Sequence, residues 1–274
     1  ASRRKPGKQP PGGAPDEQPQ PPVAPIELAL TDADVVWRYD TIAELDAWPH
    51  NASSCSVILH GDLLYVGTSN GLDTSHRYVP SPQAPTLFAL DKKTGRLKAT
   101  DEEKSAPSIF HGQWSSPSLG EVNGRKLLLF GAGDGVSYAF DPTPVSVPGR
   151  NVKLLKTVWK CDANPPEYRV RDGRKVPYGI PEGPSECIGT VVFHNKKVYA
   201  TIGQDPQRGP GSGCLSCIDA TKTGDITSTG VLWRYTRLNR STATPSVAHG
   251  LVFVADGVGD VHCHDADTGQ CHRV

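Results

Sequence analysis

Three groups of residues in this 274-residue chain have types and spacings that suit chemistry. His262 and His264 flank Cys263 on one predicted strand. Alternation puts both imidazoles on the same face, about 7 Å apart. Two imidazoles do not complete a zinc shell, so Asp260 or Cys271 would have to join them. His111, Gln113 and Trp114 open the segment HGQWSSPS just before another predicted strand, and no turn needs them there. A histidine, an amide and an indole can hold a small polar ligand or a peptide by stacking and hydrogen bonds. The plainer alternative is that they satisfy neighbouring backbone and pack. Gln204, Asp205 and Arg208 stand in a Gly-rich stretch, QDPQRGPGSG. Such a loop can cradle an anion or a calcium ion, but no Lys-Ser/Thr pair and no helix start follows it. An insertion between strands explains it as well.

Other signals resolve into structure. Cys214 and Cys217 have the spacing of a zinc or redox pair, yet residues three apart on a strand point to opposite faces, and no second pair exists. No haem-attachment, nucleophile-elbow or phosphate-loop signature is present. Asn51-Ala-Ser53 and Asn239-Arg-Ser241 match the glycosylation sequon. Basic and acidic residues balance at 29 each, which removes a general electrostatic case for nucleic acid or an anionic membrane. No apolar run approaches the roughly 20 residues that span a bilayer as a helix. The sequence has no methionine, even at position 1, so a trimmed piece of a longer product is expected. Seven cysteines fall on predicted strands and strand ends, where small buried side chains are the simplest reading.

The elements that must position these residues repeat. The stretch LVFVADGVGDVHCHDADTG at 251–269 reads as strand, Gly/Asp turn, strand, Asp/Gly turn. LLYVGTSNG with PTLFALDKKTG, LLLFGAGDG with VSYAFDP, and KVYATIGQD with CLSCIDATKTG follow the same plan. From about residue 53, four units of four short strands can be overlaid. His60-Gly61-Asp62, Asn123-Gly124 and His249-Gly250 suit two-residue hairpin loops that need positive φ. Asn70-Gly71 and Asp134-Gly135 are expected to do the same one turn later. Asp91, Asp141, Asp219 and Asp265 head the longer turns, and Gly95 and Gly269 take their left-handed position. Trp37, Trp159 and Trp233 lie in similar strands (VVWRYD, TVWKCD, VLWRYT), which places tryptophan on last strands, between neighbouring units. Ala99 and Arg273 stand where unit one and unit four would carry it. Residues 1–30 are rich in Pro, Gly, Gln and charge and are expected to be a disordered tail or tether. Residues 31–274 form the repeat domain. The fold class is therefore all-β, with four-stranded antiparallel blades of a β-propeller, about four of them, a partial ring.

The strand ending A-x-D-x-x-T-G followed by a Trp strand resembles the pyrroloquinoline-quinone-like β-propeller repeat. HGQWSSPS and ATIGQDPQRGPGSG are similar to a bacterial exported group of these proteins, of planctomycete type. The resemblance implies a periplasmic or secreted propeller. It also implies a non-catalytic binding scaffold that presents loops and a channel to a protein, peptide or sugar partner, with no cofactor. A quinoprotein oxidoreductase fragment, with pyrroloquinoline quinone and Ca2+, is the alternative. It would bring a Glu/Asn/Asp calcium set, a catalytic Asp, an Arg, a stacking Trp and a vicinal disulfide, and no adjacent Cys pair exists here. A structural subunit of an envelope assembly is the third reading.

Overall fold

A computed structural model describes residues 35–205 and 211–274. The tail at 1–30 and Arg208 lie outside the described residues.

Four antiparallel sheets follow one another along the chain. Blade one comprises Ile58–His60, Leu63–Gly67, Leu87–Asp91 and Leu97–Asp101. Blade two comprises Ser118–Val122, Arg125–Gly131, Val136–Phe140 and Thr157–Asp162. Blade three comprises Val192–His194, Lys197–Ile202, Cys214–Asp219 and Val231–Tyr235. Blade four comprises Ser246–Ala248, Leu251–Ala255, Val261–Asp265 and Cys271–Arg273. Within each blade the strands pair in chain order, the up-and-down order of a propeller blade.

The turns explain this regularity. Asn123 and Gly124 take φ of 51° and 81°, and His249 and Gly250 take 52° and 76°, the backbone of a two-residue loop whose twist matches the strands it joins. Blade three makes the same turn without glycine, at Asn195 and Lys196. In the longer turns the Asp carboxylate gathers the loop. Asp91 Oδ1 accepts from the backbone N–H of Lys93 and Thr94 and from the Thr94 hydroxyl. Asp265 repeats all three contacts with Asp267 and Thr268. Asp219 accepts from Thr221, and Asp141 from Thr143.

One expected turn differs. Asn70 and Gly71 do not adopt positive φ; Ser69 does, at 57°. Gly71 is glycine for another reason: a Cβ there would lie 2.6 Å from His50 Cβ and 2.7 Å from the His111 carbonyl oxygen. Two further strands, which cross between blades, were not foreseen. Lys153–Leu155, from blade two, pairs in parallel with the last strand of blade one. Gly224–Asp225, from blade three, pairs likewise with the last strand of blade two. Each of these two blades is thus tied at its outer edge by a segment of its successor, which removes an open edge there.

Blades stack through a fixed pair of faces. Tyr65, Leu129, Tyr199 and Phe253 occupy one register position, opposite Ala89, Ala139, Cys217 and Cys263. Those small residues lie opposite Ala99, Trp159, Trp233 and Arg273 in turn, so unit one and unit four do lack the tryptophan. Tyr65, Ala89 and Ala99 pack on Leu128, Phe130 and Phe140 of blade two. Leu129, Ala139 and Trp159 pack on Val198, Ala200 and Ile218 of blade three. Tyr199, Cys217 and Trp233 pack on Val252 and Val254 of blade four. Cys214 and Cys217 fall in different clusters, as opposite faces of one strand require.

Polar pegs fix the stacking. Trp233 Nε1 and the Tyr199 hydroxyl both donate to the Ala266 carbonyl in blade four's Asp/Gly turn. Tyr65 donates to Pro142 O in blade two's turn. Trp37 Nε1 donates to Lys92 O in blade one's turn. Trp37 therefore serves blade one as Trp233 serves blade four, with no strands of its own unit beside it among the described residues. On the inner side, Ser118 bonds Val191 O and the Thr190 N–H bonds the Thr244 hydroxyl. The first strands of blades two, three and four lie against one another in turn. All seven cysteines are described and none is paired. Among the described residues no helix is long and apolar enough to cross a membrane.

Candidate functional site

The segments that enter blades one and two meet at the loop after blade one's second strand, and the three bring three histidines together. The first is carried by the chain that follows a short helix, Thr41–Leu45, capped by Asp40. That chain is pinned to the loop after blade one's second strand. Trp48 N–H donates to the Asn70 side chain, Gly71 N–H donates to Trp48 O, and Pro49 bridges Asn70. The same loop is strapped on its other side to the entry of blade two, where Leu72 N–H donates to His111 O and Gly71 bridges Gly112. Only glycine at 71 lets the His50 and His111 backbones approach this closely.

His50 and His111 are buried, 3% and 0% exposed, and their Nε2 atoms lie 2.8 Å apart. His76 completes the group: one ring nitrogen from each of the three lies within 4.8 Å of the others. The His76 ring centroid is 4.7 Å from that of each partner. Asp73 holds the loop that presents it. Its carboxylate accepts from the N–H groups of Ser75, Arg77 and Tyr78, and His76 sits at φ 57° in that tight turn. A buried carboxylate neighbour stands behind His111, whose Nδ1 is 3.2 Å from Asp205 Oδ2. His50 Nδ1 is 2.8 Å from the Leu72 carbonyl oxygen.

The sequence-derived candidates distribute as follows. His111 and Asp205 are in contact. Trp114 packs its ring 5.2 Å from His111 and 6.1 Å from His50, and its Nε1 donates to His50 O. Gln113 is fully buried and its amide has no hydrogen-bond partner among the described residues. Gln204 is spent on backbone, donating to Ile180 O and Pro184 O. His262 and His264 share a face with ring centroids 6.3 Å apart, but each is engaged inside blade four. His262 pairs with Asp256, not Asp260, and His264 bonds Gly269 O. The Asp256 carboxyl is partly desolvated, yet hydrogen bonds from Asn239 and His262 outweigh this and hold it at about 2. His50 and His76 were missed in the sequence because the positions that meet sit on separate segments, His50 and His111 being 61 residues apart.

Behind the site lies an acid network. Glu186 is fully buried and accepts from the Tyr178 hydroxyl and from Asp205 N–H. Burial pushes its carboxyl up to about 8, so it is protonated at neutral pH. Tyr178 stacks on Phe110, and the Arg169 guanidinium lies over the same ring.

These residues do not fit a quinone with its calcium. Calcium takes hard oxygen ligands, whereas the one group of three or more His, Cys, Asp or Glu ligands found among the described residues is all imidazole. Glu186, the nearest buried glutamate, is held neutral, and the unpaired cysteines supply no vicinal disulfide.

The sheets, their order and the recurring Asp/Gly turn define a run of β-propeller blades. Comparison with known proteins finds no matching family model and no matching curated protein. Among solved structures, BamB from Moraxella catarrhalis is 16% identical over 80% of this chain and 50% of its own, at a TM-score of 0.47. Quinohemoprotein alcohol dehydrogenase from Comamonas testosteroni is 18% identical over 77% of this chain and 38% of its own, at 0.48. The computationally designed Ika8 protein is 12% identical over 81% and 48%, at 0.44. The chain spans half or less of the length of these three proteins. Likeness at this level concerns the fold alone, and the blade assignment rests on the sheets themselves.

Proposed function

We propose that this chain is a non-catalytic binding module that docks a partner protein on the outer face of blade four. One observation carries the reading. The residues at the shared register position in blades one to three, Tyr65, Leu129 and Tyr199, are 1%, 0% and 1% exposed, whereas Phe253 is 37% exposed. Around it lie Val261, also exposed, and half-buried Leu251 and Cys263. Each earlier blade uses this face to hold its successor, so its chemistry is already that of a sheet-binding surface. Exposed apolar faces of this kind mark interaction sites.

The fitting partner is a protein that offers a β-sheet with an Asp/Gly hairpin turn, the feature that Trp37 and Trp233 grip inside this chain. Arg273, where the tryptophan would stand, supplies guanidinium donors for a turn carbonyl or a carboxylate. Under this reading the module works outside the cytoplasm, as the repeat resemblance implies, and belongs to a larger protein assembly.

A photo-crosslinking residue placed at Phe253, with Leu59 as the exposed control, tests this in the cells that make the protein. The reading predicts adducts at 253 only, with the crosslinked peptide drawn from a β-hairpin of a different protein. Equal adducts at both positions, none at 253, or adducts to a second copy of this chain would each overturn it.

A further inference from the structure

We infer that His50, His76 and His111 form a binding site for a divalent transition-metal cation such as Zn2+, with one coordination position left open. The argument begins with the protons. The Leu72 carbonyl oxygen can only accept, so at 2.8 Å His50 Nδ1 must carry hydrogen. His50 then directs Nε2 at the cluster. His111 Nδ1 faces the Asp205 carboxyl group at 3.2 Å, so His111 likewise turns Nε2 inward. The two Nε2 atoms are aimed at each other 2.8 Å apart. A shared hydrogen or a metal cation can stand between them.

The partners behind the two rings favour the metal. Metal-bound histidines typically donate their second ring nitrogen to a backbone carbonyl or a carboxylate, which sets the tautomer and raises ligand basicity. His50 and His111 show one of each. In a tetrahedral zinc shell, with bonds of about 2.0–2.1 Å, ligand nitrogens stand about 3.3 Å apart. The two rings need retreat by only a few tenths of an ångström. His76 brings the third nitrogen within reach from a loop that Asp73 builds. Because His76 is half-buried while the other two are enclosed, an ion can enter from the His76 side, and the fourth position faces that way. Three imidazoles suit zinc, copper, nickel or cobalt and not calcium or magnesium. Trp114 packs against both His50 and His111 on one side.

The competing occupant of the gap is a hydrogen, donated from one Nε2 to the other. Metal titration separates the two. Tag-free, chelator-stripped protein is titrated with Zn2+ by calorimetry and with Co2+ by visible absorption, at pH 7.5. The inference predicts one tight equivalent and the d–d bands of a four-coordinate nitrogen site. His76→Ala should weaken the first equivalent at least tenfold and abolish the bands. Asp205→Asn should weaken it about 10–100-fold, the usual effect of removing the partner behind a ligand histidine. His272→Ala, an exposed change, should leave it unaltered. Far-UV circular dichroism and a melt of each metal-free variant check the fold. If His76→Ala lowers the metal-free melt, His76→Gln and the Co2+ spectrum of wild type decide. No stoichiometric metal, no four-coordinate Co2+ spectrum, or a first equivalent that survives loss of His76 but is lost in His262→Ala overturns the inference.

Discussion

Replacing Gly269 by alanine tests how the blades are held together, because the molecule supplies its own control. Gly269 and Gly250 have nearly the same backbone, φ 74° and 76°. Both substitutions force an L residue into the left-handed region, at a cost of about 1 kcal/mol, and both stiffen the unfolded chain alike. They differ in what the new methyl meets. At Gly250 nothing lies within 4 Å; at Gly269 the Cβ would stand 2.5 Å from Trp233 Cδ2 and 2.7 Å from Cε3. Ordinary contact needs about 3.5 Å or more, so the indole must move by about 1 Å and loosen its Nε1 bond to Ala266. Overpacking of this kind costs about 1–3 kcal/mol. Gly269→Ala should therefore destabilise by about 2–4 kcal/mol and Gly250→Ala by about 1 kcal/mol. The measurement is urea unfolding followed by circular dichroism. Gly95 and Gly61 form a second matched pair, with φ of 66° and 61°, and only Gly95 lies against an indole, that of Trp37 at 2.6 Å. In a Trp233→Leu background the excess cost at Gly269 should vanish, since the coupling belongs to that pair. Equal costs within each pair would refute the reasoning.

Two further outcomes follow from single residues. Glu186 is folded with its carboxyl at about 8 against an ordinary 4.5, so folding favours its protonated form. Its contribution is unimpaired below about pH 4.5 and is lost progressively as pH rises towards 8. Holding the proton at pH 7 costs on the order of 3 kcal/mol, and Glu186→Gln should recover much of this and flatten the pH dependence of stability between 5 and 8 in denaturant titrations. Phe253→Arg should leave the melting temperature of the isolated chain within a few degrees of wild type, whereas Tyr199→Arg at the equivalent covered position should unfold it, as differential scanning calorimetry would show.

Much of the fold was legible because it is local. Asp followed at two and three residues by backbone donors, then Gly at positive φ, is decided within five residues, and the sequence around Asp91 and Asp265 carries all of it. Strand alternation likewise placed Cys214 and Cys217 on opposite faces. What depends on distant segments was not legible. Nothing near Lys153 signals that it leaves its own blade to tie the edge of blade one. Gly71 looks like a turn glycine, and its actual constraint is the approach of His50 and His111 from either side. The histidine cluster was hidden for the same reason: His111 and Asp205 stood out singly, but the residues that face His111, His50 and His76, are assembled by hydrogen bonds among three loops.

The account rests on each blade being held by its successor, with no successor against blade four among the described residues. Native-state hydrogen exchange, resolved strand by strand, measures this most directly. The second strands Leu63–Gly67, Arg125–Gly131 and Lys197–Ile202 should exchange together and slowly, while Leu251–Ala255 exchanges markedly faster in the isolated chain. Equal protection of all four strands in the isolated chain would contradict it.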